Sequence, residues 1–586
     1  MNKAFSFSIF LLSASALFAQ KHDNLWMHIY PSQDTTGNSP LDPPFPAVFM
    51  EFNTSPPSLM YAPTPYPGDV AKITICDRKG APLFYSNGYN IFHLDGPLME
   101  NGDSLLPIAQ EGSYPFGFNN NMSMMGLPRP DHEGDYYLVQ LYTEPNWYDP
   151  KMLLTLIHGA IASGVGIVEY KSKLLFDGHD RIDFFNVTKH ANGRDWWVVF
   201  SDINIEEQTR TFYSFYLGAD TVYLAQSQTI AGYEPVPQSS WQVYTQQRVF
   251  SPNGEYFIAL DPIHGIRIHP FNRCTGELGD LLTLPYQPGH WGGGGIATSP
   301  NSQYLYVSNT EYVFQYDLTA PDIAATQDTV GVYDGYLAPP AGQPTLFGLS
   351  HLAPDGKIYF FAGLGWVHYI AQPNKKGDAC SVIQRAFEMP VYAWGSPYYP
   401  NYRLGPLDGS PCDTLGLNNE PLADFWWFTD STLTVEFADN SSYEPAEWHW
   451  DFGDGGSTSQ DTSPVHTFPA AGTYQVCLTV SNQYAADTVC KQVTVGVSKA
   501  HEAAALPQVQ VFPNPFRQQL RVSLSDRTGR QPQFALLDVL GRQVASARLR
   551  DGDTVLDLPA LPPGLYVWQV RWPGGAVQSG KSVRME

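Results

Sequence analysis

The chain has 586 residues, a formal net charge of -24 and only 15% charged residues, against about 25% in ordinary globular proteins. Aromatic residues reach 14%, with 50 glycines and 49 prolines, the composition of an all-β, loop-rich exported protein. The negative charge repels phosphate backbones and no Lys/Arg-rich run breaks it, which argues against nucleic acid as a partner.

Lys3, an apolar run from Phe5 to Phe18 and then Ala19-Gln20 form a secretory signal, too short to span a membrane, with cleavage expected after Ala19 and Ala14-Ser15-Ala16 as the alternative site. No later stretch approaches the ~20 consecutive apolar residues of a transmembrane helix.

Residues 24–68 are rich in Pro, Ser and Thr around one strand-like run, Ala47 to Phe52. A repeat follows, in which a turn precedes an apolar or aromatic strand. Asp77-Arg78-Lys79-Gly80 leads into Leu83-Phe84-Tyr85, Asn192-Gly193 into Trp196-Trp197-Val198-Val199, and Ser251-Pro252-Asn253-Gly254 into Tyr256-Phe257-Ile258. Glu133-Gly134, Ser299-Pro300-Asn301-Ser302 and Ala353-Pro354-Asp355-Gly356 open further copies, and the fourth turn position falls at 80, 134, 193, 254, 302 and 356. An all-strand unit of about 50 residues is a four-stranded propeller blade, with the turn as a hairpin inside it. Six units are visible, and Trp26 to Tyr30 together with Tyr398 to Leu404 would close a seventh.

The last three turns resemble WD-like or lactonase-like β-propellers. His190 to Trp197 and Arg273-Cys274-Thr275-Gly276-Glu277-Leu278 resemble signatures of a propeller family that carries a secretion-sorting tail. The resemblance spans about 350 residues and implies no activity.

Residues 406–417 read as a linker, dense in Gly, Pro, Asp and Ser. In 418–497, alternating Leu433, Val435 and Phe437 precede Trp448-His449-Trp450-Asp451-Phe452-Gly453-Asp454-Gly455, then His466-Thr467-Phe468 and Gly472-Thr473-Tyr474. This order is similar to a PKD domain, an immunoglobulin-like sandwich. Residues 498–508 form a second linker. The final stretch, 509–586, has short alternating runs punctuated by Pro513-Asn514-Pro515, Leu540-Gly541 and Pro562-Pro563-Gly564, a small antiparallel sandwich. It resembles the type A C-terminal sorting domain of the bacterial type IX secretion system. That resemblance implies the secretion machinery as partner, delivery to the cell surface or the medium, and removal of the tail after export.

The expected fold is therefore all-β: a six- to seven-bladed β-propeller over 24–405, followed by two immunoglobulin-like β-sandwich domains.

Six cysteines in an exported chain invite disulfides, and the absence of Cys-x-x-Cys argues against a thiol redox or zinc site. Cys477 and Cys490 fall on the polar faces of two alternating strands. If the hairpin turns through Asn482 to Ala485 the two face each other, so they are predicted to be bonded. Cys380 with Cys412 is a weaker pairing, leaving Cys76 and Cys274 unassigned.

Other candidate chemistry is weighed against plainer roles. Asp451 and Asp454 offer two carboxylates to calcium, but no EF-hand pattern surrounds them and turn carboxylates are commoner. His190, Arg194 and Asp195 beside Trp196-Trp197 suit a glycosidase or lyase, yet they lie on the repeated turn. Trp291 to Gly295 lacks the Gly-Lys-Ser/Thr of a phosphate loop. His264 and His269, five apart on a strand, point to opposite faces and share no metal. Gly-x-Ser-x-Gly is absent, and Asn186-Val187-Thr188 is a chance glycosylation triplet. No cofactor, metal or catalytic residue is therefore assigned. The chain is expected to be a monomeric binding or adhesion protein for a glycan or protein ligand rather than an enzyme, the alternative being a secreted hydrolase or lyase with its site at the propeller channel mouth.

Overall fold

A computed structural model describes residues 20–584 apart from 30–46, 53–56, 63–71, 95, 107–122, 143–149, 162–164, 183–184, 205, 208, 231–246, 262–263, 290–293, 339–341, 362–364, 390–397, 430–432, 497–508, 513–515, 525–531, 538–541, 551, 559–560 and 572–576. The signal segment, the linker 498–508, Tyr30 and Trp291 to Gly293 lie outside the described residues. The fold is all-β, and two compact units divide it. One runs Met1–Phe428, Val435–Thr467 and Tyr474–Val493; the other includes Thr494–Glu586.

Among the described residues, seven successive sheets of three to five strands precede residue 405, with a two-stranded hairpin, Leu337–Ala338 and Gln343–Pro344, between the sixth and the seventh. Six carry a short, largely buried strand just before the repeated turn: Ile73–Cys76, Met124–Pro128, Asn186–Lys189, Gln247–Phe250, Gly295–Thr298 and Leu349–Leu352, the third of these preceded in its sheet by Arg181–Ile182. The repeated turn joins each of these first strands to a second, antiparallel one, as in Gln247–Phe250 with Tyr256–Asp261. All six fourth turn positions are left-handed, from Gly80 at φ 89° to Gly356 at φ 75°, with Ser302 at 59°. Glycine recurs there because only it adopts positive φ at no steric cost. The serine turns add their own latch: the Ser251 hydroxyl accepts from the Tyr256 amide at 3.0 Å, and Ser299 accepts from Tyr304 at 2.8 Å.

The first sheet, Leu25–Ile29 with Ala47–Glu51 and Ser58–Ala62, departs from this order. Its leading strand runs opposite to Ile73–Cys76, since the Cys76 amide donates to the His22 carbonyl at 3.0 Å and the Lys21 amide to that of Arg78 at 3.2 Å. Leu25–Ile29 therefore takes the place of a second strand. The chain passing its inner side is Tyr398–Arg403, from the far end of the propeller. Trp26 and Tyr399 meet there as anticipated, through stacked rings rather than through a strand ladder. Trp26 also packs edge-on against His351 and Tyr359 of the seventh sheet, so the first and last sheets are neighbours and the ring closes at seven blades.

The segment after Gly405 is a strap rather than a loose linker. Its Leu407 amide donates to the Ala191 carbonyl at 2.8 Å, Pro406 bridges to Asn192, and Cys412 is bonded to Cys274. The Cys380–Cys412 pairing is thereby overturned. Cys380 closes the short helical turn Gly377–Cys380 of the seventh sheet and is buried as a free thiol, as is Cys76. Nearness in sequence misleads because the strap doubles back to the turns of the fourth and fifth sheets.

The next sandwich packs Phe425, Phe437 and Trp450 ring to ring between its two sheets. Cys477 and Cys490 are bonded across the hairpin Gly472–Ser481 and Ala486–Val495, with Cα atoms 4.1 Å apart. The facing Thr479 and Thr488 hydroxyls lie 2.8 Å apart in the same register. The last sandwich, in the second unit, has its own core of Phe516, Leu520, Val522, Phe534, Leu536 and Val570.

Candidate functional site: the propeller channel

The channel is walled by the first strands, so its chemistry depends on which groups those strands carry and what closes each end. Tyr398–Arg403 runs against the first strands, from the start of Asn186–Lys189 and Gln247–Phe250 at Tyr398 to the repeated turn at Asn401, whose Nδ2 donates to the Pro252 carbonyl at 2.8 Å. The Tyr402 hydroxyl donates to the Gly126 carbonyl at 2.6 Å, and Tyr398 Oη accepts from Asn186 Nδ2 at 2.6 Å while donating to the Arg248 carbonyl. Arg403 forms a two-pronged pair with Asp23 at 2.8 and 3.0 Å. These tyrosines are buried, and a buried hydroxyl is kept only where it finds a partner. The PKD-like sandwich packs over the same turns. Asn440 Nδ2 donates to the Pro354 carbonyl at 3.0 Å, Gln372 Nε2 to Glu436 at 2.8 Å, and the Lys357 ammonium sits 5.6 Å from the centre of the Trp426 ring. A cavity of about 450 Å³ remains between them, with Asn253, Ser302, Asn401, Arg403, Asn440 and Tyr443 among its lining residues.

Polar groups also line the walls. Gln247 ties three first strands together, accepting from the Ile296 amide at 2.9 Å and donating to the Ser350 carbonyl at 2.5 Å. Toward the end where the first strands begin, two carboxylate–histidine pairs appear. Asp261, which ends a second strand, is fully buried; it lies 2.9 Å from His264 Nδ1 and 4.0 Å from Arg210. Burial works to raise its pKa, but the His264 hydrogen bond and the charges of Arg248 and Arg210 outweigh that and hold the carboxyl below its usual range. Asp202 pairs with His179 at 2.5 Å; there burial wins and the carboxyl is raised, while the pairing raises His179.

His190, Arg194 and Asp195 are brought together, at the turn end and in structural roles. Asp195 is fully buried and accepts from Arg194 Nε at 2.8 Å, Asn192 Nδ2 at 2.6 Å and the Tyr216 hydroxyl. His190 is occupied on both ring nitrogens, Nδ1 by the Asn192 amide at 3.0 Å and Nε2 by the Cys274 carbonyl at 3.2 Å. The indoles of Trp196 and Trp197 donate to the Pro128 and Arg273 carbonyls. Lys189 Nζ rests 3.8 Å from the Trp196 ring centre, and burial pulls its pKa to about 7.

Asp451 and Asp454 act as turn carboxylates, the first accepting from the Gly453 amide at 2.9 Å, the second from Ser457 at 3.2 Å and paired with His466 at 2.8 Å. Among the described residues no group of three His, Cys, Asp or Glu side chains is arranged to hold a metal. His264 and His269 are separated, His269 lying on the Gly279 carbonyl at 3.1 Å. Sequence reasoning missed the two carboxylate–histidine pairs, although an Asp closing a second strand with His three residues on, as in Asp261 and His264, was there to be read.

Residues 428–497 match the PKD domain family and 510–581 the secretion system C-terminal sorting domain family. The sorting domain marks the chain for type IX secretion, to the cell surface or the medium. No curated protein matches the chain. Among solved structures, the PKD1 domain of a Vibrio cholerae metalloprotease is 31% identical over 13% of this chain and 96% of its own, with a TM-score of 0.12. The periplasmic gluconolactonase of Pseudomonas aeruginosa is 13% identical over 72% of this chain and 100% of its own, with a TM-score of 0.30. The arabinofuranosidase of Fusarium graminearum, 9% identical, covers 58% of this chain and 87% of its own at a TM-score of 0.29. Among the described residues no helix is long and apolar enough to cross a membrane.

Proposed function

We propose that this type IX-exported protein works at the cell surface or beyond it as a monomeric binding protein, its propeller presenting a platform to a glycan or protein ligand. The observation that carries the reading is the commitment of its polar groups. Asp195, Asp23 and Asp454 each have their carboxylate taken up by neighbouring side chains or amides, and both nitrogens of His190 are engaged. A general acid or base must keep one atom free for the substrate. The segment 24–405 would be the binding module, 406–417 its strap, and 418–497 a support held against the turn end.

A second reading, a secreted hydrolase or lyase, rests on Asp261–His264 and Asp202–His179, which pair a carboxylate with an imidazole away from the turn end. A glycan and protein array probed with the exported chain, run beside a hydrolase and lyase screen on the same sample, separates the two. Saturable binding without turnover supports the first reading. Turnover abolished by Asp261→Asn or Asp202→Asn supports the second.

A further inference from the structure

The connection from the sixth sheet to the seventh carries an exposed apolar and aromatic surface. Val332 ends the last strand of the sixth sheet and Trp366 begins the third strand of the seventh. Tyr336 lies between them, edge-on to Trp366 with ring centroids 6.3 Å apart. Val332, Tyr336 and Leu337 are 53%, 40% and 56% exposed. The Arg385 guanidinium covers one face of Tyr336, 4.5 Å from the ring centre, and forms a two-pronged pair with Asp334.

Arg385 reaches that position at a cost. It sits in a bulge where three residues of the strand Val382–Glu388 oppose His368 alone, and its φ is 48°. The bulge is held by the Arg385 amide, which donates to His368 Nδ1 at 3.1 Å, and by Nη1, 3.4 Å from Thr345 Oγ1; it turns the guanidinium over Tyr336, and bulges re-aim side chains in this way next to functional sites.

We infer that Val332, Tyr336, Leu337 and Trp366, with the Asp334–Arg385 pair, form a binding site for a neutral polysaccharide. A pyranose ring offers an apolar C–H face to an aromatic ring and hydroxyls at its edge. Tyr336 and Trp366 supply the first contact, and the planar carboxylate and guanidinium beside them supply donors and acceptors for the second. Charge selects the neutral class: Asp334 and Arg385 cancel each other locally, and the net charge of -24 repels a polyanion. The inference rests on the binding reading, because the site lies at the end of the sheets that Asp261 and His264 share, away from the repeated turns.

Electrophoresis of the full exported chain through gels containing laminarin, xylan or mannan, compared with alginate, tests it. The expected result is retardation in a neutral gel, weakened about tenfold or more in Tyr336→Ala and retained in Tyr336→Phe and in Tyr223→Ala, an exposed aromatic elsewhere, with unchanged melting in all three. Retardation by alginate alone, or by none of the four, overturns the assignment. Retardation unchanged in Tyr336→Ala also overturns it while leaving the binding reading intact, whereas release of reducing ends from the polysaccharide brings down the binding reading itself.

Discussion

The Tyr399 ring stacks on Trp26, 6.4 Å between centroids and 19° from parallel, and its hydroxyl lies 3.2 Å from the Leu25 carbonyl, 374 residues away in sequence. This contact joins the two ends of the propeller chain. Tyr399→Phe keeps the stack and leaves the buried Thr74 amide without the Tyr399 oxygen it donates to, while the Leu25 carbonyl keeps the Thr74 hydroxyl, an expected loss of about 1–3 kcal/mol. Arg403→Ala leaves Asp23 mostly buried without its cation and is expected to cost more, about 3–5 kcal/mol. Denaturant midpoints of the two variants check the order; equal midpoints for wild type and Arg403→Ala would mean the ends do not close the ring.

The thiol inventory is specific. Native protein should show no thiol reactive to Ellman's reagent, denatured protein two, from Cys76 and Cys380, and reduced protein all six. Protease cutting of the strap around residues 406–417 should appear only after Cys274–Cys412 is reduced. Four thiols in the denatured, unreduced chain would remove one of the two disulfides.

Three buried histidines set a pH window. Burial lowers His22, His351 and His368 from 6.5 to about 4. Above pH 6.5 both folded and unfolded chains hold them neutral. Between 6.5 and about 4 only the unfolded chain takes up their protons, so stability falls as pH falls, by at most about 3 kcal/mol per histidine. His179, raised by its bond to Asp202, works in the opposite sense, but its side chain is 55% exposed and solvent screens the pair. The expectation is a lower urea midpoint at pH 5 than at pH 7.5, with the difference reduced in His351→Gln. A flat profile would show that the histidines are protonated in the folded state.

Val435, Phe437, Trp450, Val476 and Leu478 are buried in the PKD-like sandwich, with the Phe437 and Trp450 rings in contact. Residues 418–497 expressed alone should unfold cooperatively when oxidised. Reduction of Cys477–Cys490, which spans 13 residues, should lower the stability by about 3 kcal/mol. Absence of a cooperative transition in the oxidised fragment would mean that it needs the propeller surface met by Trp426 and Asn440.

Local chemistry was readable in advance. The six turns announced themselves through a fourth position that needs positive φ, and Cys477 found Cys490 because antiparallel strands keep a constant index sum, visible again in Thr479 and Thr488. What escaped was set by the return of the chain in space. Tyr398–Arg403 has neither strand alternation nor helical period, and its role comes from hydroxyls reaching carbonyls on three separate first strands and that of Leu25. Cys412 finds Cys274 because the strap crosses the Ala191 turn, which no spacing encodes. His179 and Asp202 likewise come from different strands, whereas Asp261 and His264 were three residues apart and needed only the second strand's end to be recognised.

The measurement that bears most directly on the binding reading is the chemical fate of a saturating ligand. The strongest ligand from the array, incubated to equilibrium with the exported protein and recovered for mass spectrometry, should return intact at constant stoichiometry. Cleaved ligand, with cleavage lost in Asp261→Asn or Asp202→Asn, would contradict the account and make the carboxylate–histidine pairs an active site.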